Sequence, residues 1–320
     1  MEIKRIAVLT SGGDAPGMNA AIRAVVRSAL DNNVEVYGVY DGYKGLYEDN
    51  MEKLDRHSVS NIINRGGTFL GTARFEKFTD PSYRQVAINN MKKRNIDALV
   101  VLGGDGTYHG GQALSEMRFP CVGVPATIDN DIASTQYTIG FDTTLNTIID
   151  CIDKIKDTSS SHRRCSVVEV MGRHNPELAI RAGIACGAEF IIGDKESYSK
   201  EKLLEAVRDA KKNNKRNCII IACEHTIPVT ELAKVLNDDG QYETRSSVLG
   251  YIQRGGTPSA FDRVLAAWLS EYAVELLLKG VSGVCVGTNG TDVYHMSFEE
   301  NFKLPKKDFT EEYKRANRLI

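Results

Sequence analysis

No stretch of this 320-residue sequence approaches the roughly 20 consecutive apolar residues that a membrane span needs, so no membrane role is expected. Neither sign of charge dominates. Forty Lys and Arg against 42 Asp and Glu leave a net charge of -2, which gives no global pull toward nucleic acid or anionic lipid. Neither is an expected partner, and any affinity for phosphate has to come from local clusters. The seven cysteines (Cys121, Cys151, Cys165, Cys186, Cys218, Cys223 and Cys285) are odd in number, lie far apart and form no C-x-x-C. That pattern predicts buried, reduced thiols and a cytoplasmic protein. The six histidines form no H-E-x-x-H and no Cys/His cluster, so structural zinc is not expected. Glu2, Lys4 and Arg5 interrupt the apolar start, so no secretory leader is expected. There is no repeat and no Pro- or Gly-rich linker; Thr158 to His162 reads as one polar loop.

What is present is ordinary globular material, 42% apolar and 26% charged, enough for one large domain or two intertwined ones. Strand-like apolar runs at 5–10, 34–40, 98–102, 121–125, 166–171, 218–222 and 284–286 alternate with amphipathic stretches at 20–32, 83–94, 143–156, 200–213 and 258–278. This alternation predicts parallel sheets covered on both faces. The strands are too many for one small sheet, so two α/β lobes are expected, with the chain crossing between them more than once.

Three glycine- or aspartate-rich segments follow strands. The first, TSGGDAPGMNAAIR (10–23), has the glycine spacing of a P-loop at Gly12 and Gly17, but Met18 and Asn19 replace the required Lys and Ser/Thr. A helix starting here would present free N–H groups to an anion; a tight turn needed only for geometry reads equally well. The second, ALVVLGGDGTYHGG (98–111), runs a buried strand into Gly103-Gly104-Asp105-Gly106-Thr107. Glycines there let a polyphosphate reach the backbone, and one carboxylate suits Mg²⁺. His109 breaks G-x-G-x-x-G, which argues against a dinucleotide fold. The third, VPATIDNDI (124–132), places Asp129 and Asp131 two residues apart, where one carboxylate can serve as a base. Arg74, Arg164, Arg173, Arg245 and Arg254 are candidates for the positive charge a phosphate needs; Arg173 and Arg254 adjoin glycines beside apolar runs.

Together LTSGGDAPGMNAAIR, INRGGTFLGTARF, GGDGTY, TIDNDI, DTSSSH, VEVMGR, VLGYIQRGGTP and FDRVLA, in this order from residue 9 to about residue 267, resemble the bacterial ATP-dependent 6-phosphofructokinase family. The resemblance implies an α/β fold of two three-layer αβα lobes with mainly parallel sheets. Residues 1–139 plus 251–305 would form a larger ATP-binding lobe, and 140–250 plus 306–320 a smaller sugar-phosphate-binding lobe. The implied reaction is phosphorylation of the 1-hydroxyl of fructose 6-phosphate by ATP with Mg²⁺, in a homotetramer.

Carried over residue by residue, Gly12, Arg74, Phe75, Gly104, Asp105, Gly106 and Thr107 would contact ATP, with Asp105 also holding Mg²⁺. Asp129 would be the base or hydroxyl orienter, with Thr127 and Arg173 near the transferred phosphoryl group. Met171, Gly172, Arg173, Glu224, Tyr251 and Arg254 would hold the sugar phosphate with Thr127 and Asp129, while Arg164 and Arg245 reach in from a neighbouring subunit. An effector site for ADP or phosphoenolpyruvate would use Arg23, Arg27, Arg56, Lys156, Glu189 and Lys215.

The sequence departs from the family pattern in places. Tyr251 replaces a histidine, which predicts weaker sugar-phosphate binding, and Ala126 replaces a glycine, which costs stability if φ is positive there. Lys156 replaces an arginine, and Asn213 and Asn217 replace basic residues in the effector region. The pyrophosphate-dependent pattern, Lys at 126 and Asp at 106, is absent. A kinase with a shifted acceptor and a non-catalytic nucleotide-binding relative are the competing readings.

Overall fold

In the computed structural model, which describes residues 3–196 and 198–319, the chain begins with β1 (Arg5–Thr10), α1 (Met18–Asp31), β2 (Glu35–Val39), α2 (Gly42–Glu48) and β3 (Met51–Leu54). A 3-10 turn (Glu76–Thr79) leads to α3 (Pro81–Lys93), β4 (Ala98–Gly103), α4 (Asp105–Glu116), β5 (Cys121–Pro125) and the long α5 (Phe141–His162). Next come β6 (Arg164–Val170), α6 (Glu177–Cys186), β7 (Phe190–Ile192), α7 (Lys200–Lys212), β8 (Cys218–Cys223), α8 (Val229–Asp239) and β9 (Glu243–Val248). A second 3-10 turn (Gly250–Arg254), α9 (Ala260–Leu278), β10 (Val284–Asn289), β11 (Asp292–Ser297), α10 (Phe298–Lys303) and α11 (Thr310–Leu319) complete it.

The chain divides into two units, Met1–Thr143 with Arg254–Lys306 and Thr144–Gln253 with Lys307–Ile320, so it passes from one to the other three times. The first holds a seven-stranded sheet in the order β11-β10-β5-β4-β1-β2-β3, antiparallel only at its edge pairs β10–β11 and β2–β3. β1, β4 and β5 form its centre and are almost continuously apolar because they are buried on both faces. Leu9, Val101, Tyr108 and Phe298 belong to its core.

The second unit has a parallel four-stranded sheet, β7-β8-β6-β9, over a core that includes Val167, Ile220, Leu203 and Leu232. The α/β alternation expected from the sequence is the observed architecture. All seven cysteines are free thiols, six of them buried, and burial pushes the Cys121 thiol up to about 12. No helix among the described residues is long and apolar enough to cross a membrane.

Thr158 to His162 is not a loop. It forms the last turns of α5, and Ser159 is buried with its hydroxyl 2.6 Å from that of Ser166 on β6. A run of short polar side chains carries little helical signal, and the tertiary contact supplies what local propensity does not.

Candidate active site

In the first unit β1, β4 and β5 are parallel neighbours, so the three segments that follow them emerge at one sheet edge. Backbone bonds continue the ladder past the strands: Ser11 N–H donates to Leu102 O (3.0 Å) and Ala126 N–H to Gly103 O (3.0 Å). The Thr107 hydroxyl donates to Ser11 O (3.0 Å). A Cβ on Gly103 would stand 2.5 Å from Ser11 O and against the Thr107 hydroxyl, so only glycine lets the two turns close this tightly. A Cβ on Gly104 would meet Thr127 at 3.5 Å. The Gly104-Asp105-Gly106 turn and the Thr127–Asp129 segment are therefore immediate neighbours.

The two helix starts differ. Gly17, with φ +107°, precedes α1, and a Cβ there would meet Ile139 at 2.6 Å; Ala15 to Ala21 are buried. The start of α1 is thus packed with protein, and an anion site there is not what forms. Met18 and Asn19 stand at the P-loop Lys and Ser/Thr positions because they build structure. Asn19 donates to Arg65 O (3.0 Å) and Gly66 O (3.1 Å) and accepts from Phe69 N–H (2.8 Å). Asn19→Ala is expected to lower stability by about 2–4 kcal/mol at roughly 1 kcal/mol net per bond, read from denaturant midpoints. The exposed part of this loop is Gly12 and Gly13.

The N-terminus of α4, in contrast, is open. Asp105 and Gly106 are exposed, and their N–H groups lie in the first turn, where no intrahelical acceptor exists. Asp105 Oδ2 lies 3.5 Å from His109 Nε2, whose ring stacks on Phe302 at 4.0 Å. No group of three or more His, Cys, Asp or Glu among the described residues is arranged to hold a metal.

Thr72 donates to Gly12 O (2.7 Å), tying the loop that carries exposed Arg74 and half-buried Phe75 to the first glycine turn. Phe75 packs against Tyr47 and Tyr83. Arg254 lies with its guanidinium against Gly13, where any Cβ would displace it, and its Nε is buried without a hydrogen-bond partner. In the Asp129 segment, buried Asn130 (φ +49°) donates to Gln136 O (3.0 Å) and accepts from Thr138 N–H (2.9 Å). Asp129 N–H donates to the Thr127 hydroxyl (3.3 Å). Ala126 is not among the residues with positive φ, so the strain that alanine would suffer there does not arise.

The second unit brings together Met171, Gly172, Arg173, Glu224 and Tyr251. Gly172 has φ +138° and Arg173 φ +57°, and Glu224 Oε1 accepts from both N–H groups (3.3 and 2.9 Å). A cavity of about 200 Å³ is lined by residues that include Met171, Glu224, Tyr251, Gln253 and Glu169. Tyr251 is 85% exposed.

Val170, Val248 and Gly250 also line the cavity, and two lining residues with polar side chains were not expected from the sequence. Gln253, fully buried, accepts from Met171 N–H (3.0 Å) and donates to Gly250 O (3.0 Å). Glu169 lies in a strand, and burial first, then the Glu224 charge, raises its carboxyl above the usual range. Gln253 stands inside the IQRGG segment, but its role needs the fold; Glu169 carries no local signal. Because the Gly172 and Arg173 N–H groups of this left-handed turn share one carboxylate oxygen, Glu224→Ala is expected to raise the KM for a sugar phosphate about tenfold or more, the equivalent of about 1.4 kcal/mol, in steady-state kinetics.

Arg164 and Arg245 sit on neighbouring strands and share Glu243, Arg164 at 2.9 Å. Of the expected effector residues, Lys156, Glu189 and Lys215 lie in the second unit. Lys215 pairs with buried Glu189 (2.7 Å), whose other oxygen accepts from Ile219 N–H (2.5 Å), and Lys156 donates to Cys186 O. In the first unit Arg56 pairs with Asp31 at 3.3 Å. Arg23 is lowered below the usual arginine value by partial burial and then by Arg27, whose Nε is buried without a partner.

An α/β protein with adjacent glycine and aspartate turns at its parallel strand tips, and an arginine against one of them, belongs to the class that handles phosphorylated ligands. The comparisons make this specific. The phosphofructokinase family model matches residues 5–277, and the chain belongs to that family. It is 54% identical over 308 residues to the ATP-dependent 6-phosphofructokinase of Pectobacterium carotovorum, covering 95% of this chain and 96% of the relative. It is 53% identical over 322 residues to the enzyme of the same name from Photobacterium profundum, covering 99% and 100%. Among solved structures it resembles phosphofructokinase from Saccharomyces cerevisiae (TM-score 0.86, 33% identity), covering 98% of this chain but only 47% of that one. The pyrophosphate-dependent phosphofructokinase of Marinobacter aquaeolei (TM-score 0.87, 20% identity, 99% and 92% covered) shares the fold.

Proposed function

We propose that this protein transfers the γ-phosphoryl group of ATP to the 1-hydroxyl of fructose 6-phosphate, yielding fructose 1,6-bisphosphate and ADP, the committed step of glycolysis. One observation carries the reading: the Gly104-Asp105-Gly106 turn lies against Thr127, two residues from Asp129. Two carboxylates on neighbouring strand ends suit separate tasks, one toward the nucleotide's phosphates and one toward the acceptor hydroxyl. Phosphoryl transfer asks mainly for positioning and for stabilisation of charge on the transferred group.

In this reading the larger unit is the ATP-binding lobe. Gly12, Gly104, Gly106 and Thr107 admit the polyphosphate, and Arg74 and Phe75 flank the nucleotide. Asp129, with Thr127, holds the attacking hydroxyl and takes its proton as the bond between the γ-phosphorus and ADP breaks. Arg173, at the end of its left-handed turn, offers positive charge to the phosphoryl group. Met171, Gly172, Arg173, Glu224, Tyr251 and Arg254 bind the sugar phosphate, and Arg164 and Arg245 serve a neighbouring subunit of a homotetramer.

Asp105 fits Mg²⁺ as a single exposed carboxylate at a helix start, because Mg²⁺ takes one or two carboxylates and completes its shell with phosphate and water. Bound there, the ion would neutralise phosphate charge. Arg23, Arg27, Arg56, Lys156, Glu189 and Lys215 form the effector site for ADP or phosphoenolpyruvate, with regulation weakened by Asn213 and Asn217. The protein is cytoplasmic in this reading.

The test is a coupled assay of ADP and bisphosphate formation over a panel of phosphosugars, with ATP against pyrophosphate and with ADP or phosphoenolpyruvate added. Fructose 6-phosphate with ATP is expected to rank first. Turnover with no member of the panel would overturn the reading in favour of a binding protein.

A further inference from the structure

Asp262, in the FDRVLA segment, is fully buried at the start of α9 and has no part in the proposed transfer step. One carboxylate oxygen accepts from Gly140 N–H (2.9 Å); the other accepts from Thr143 N–H (2.8 Å) and from the Thr143 hydroxyl. The Thr143 oxygen in turn accepts from Ser259 N–H (2.9 Å). Ser259 Oγ accepts from Asp262 N–H (3.2 Å) and donates to Asp142 (2.5 Å). The first turns of α5 and α9 therefore cap each other inside the first unit. Asp142 is a nearby like charge, and burial foremost pushes the Asp262 carboxyl up to about 6 despite its donors. Keeping a carboxylate in such a place costs stability, and only a carboxylate accepts from two peptide N–H groups and a hydroxyl at once.

Three parts of the candidate site converge on this cap. Next to Gly140, Ile139 N–H donates to Pro125 O (3.0 Å) and the Thr138 hydroxyl to Thr127 O (2.6 Å), so the cap fixes the far end of the Thr127–Asp129 loop. A Cβ on Gly140 would lie 2.7 Å from Ala15, and one on Gly17 3.6 Å from Asp262, so the first glycine loop rests on the same point. Behind Ser259 the chain leads back to Arg254, which lies against Gly13.

The geometry points to Asp262 as a positioning residue for phosphoryl transfer. By joining α5 to α9 it holds the glycine loop, the Asp129 loop and the Arg254 segment in one register. This rests on the function proposed above. The test compares Asp262→Asn with Leu269→Ala, which removes a buried side chain of the same helix outside the hydrogen-bond network.

Asparagine keeps the size but turns a donor toward Thr143 N–H. In steady-state kinetics on fully folded enzyme, Asp262→Asn is expected to lower kcat by about 10²-fold, the scale of a 1 Å misplacement, and to raise neither KM by as much. Amide exchange at Gly140 and Thr143 is expected to accelerate. Leu269→Ala keeps its kcat. If Asp262→Asn does not fold, Thr143→Val gives the same pattern at smaller amplitude. Wild-type kcat in folded Asp262→Asn, unchanged exchange at Gly140 and Thr143, or an equal kcat loss in Leu269→Ala overturns the proposal. An inactive wild-type enzyme overturns the functional reading instead, and the exchange measurement then judges the cap by itself.

Discussion

Asp129→Asn is expected to lower kcat by about 10²–10⁴-fold, the usual worth of a positioned general base, while the melting temperature and the KM for ATP stay near their starting values. The fold should survive because the loop is not held by the Asp129 side chain alone. Buried Asn130 ties it to Gln136 and Thr138, Thr138 ties it to Thr127, and Ile139 joins Pro125. Asparagine retains the shape and one acceptor but cannot take a proton. The loss should therefore fall on turnover rather than on binding. A variant with full turnover would remove Asp129 from the chemistry and leave the segment a purely structural turn. Measuring kcat and both KM values beside a thermal melt separates these outcomes.

Much of this site was readable before the fold, for a physical reason. β1, β4 and β5 are buried on both faces, so they read as unbroken apolar runs, and the glycines after them mark where the chain must turn. The edges were not readable. β9 (ETRSSV) and β11 (DVYHMS) carry polar, partly exposed side chains, and β7 has three residues. Their strand character comes from a neighbour's hydrogen bonds rather than from their own pattern. The same limit hid Gln253 and Glu169, whose surroundings come from distant segments. It also made Met18 and Asn19 look like defects in a phosphate loop, when Asn19 in fact anchors the 65–69 segment. Spacing reports which residues are close in sequence; it does not report which of two glycine turns ends up plugged by an isoleucine.

Gly106→Asp should separate stability from function most cleanly. Among the fourteen glycines with positive φ Gly106 does not appear, so its backbone does not require glycine. Packing does not require it either, since apart from its chain neighbours and the backbone of its own helix no described atom lies within 4 Å of where a Cβ would stand. By helix rules the position favours a carboxylate: glycine is a poor helix former, and a negative charge in the first turn gains about 0.3–1 kcal/mol. Stability is thus expected to hold or to rise by roughly 0.5–1 kcal/mol. Activity should go the other way. If the open first turn of α4 receives the phosphates of ATP, a carboxylate there meets them at close range. At about 4 Å and an effective dielectric near 20 the repulsion is on the order of 4 kcal/mol. Screening and rearrangement leave an expected fall in kcat/KM for ATP of about 10²–10³-fold. Gly103→Ala is the opposite case: its Cβ would drive into Ser11 O and Thr107, so stability and activity should fall together. A Gly106→Asp enzyme that keeps its affinity for ATP would mean that the phosphates approach elsewhere, and the open end of α4 would lose its assigned role.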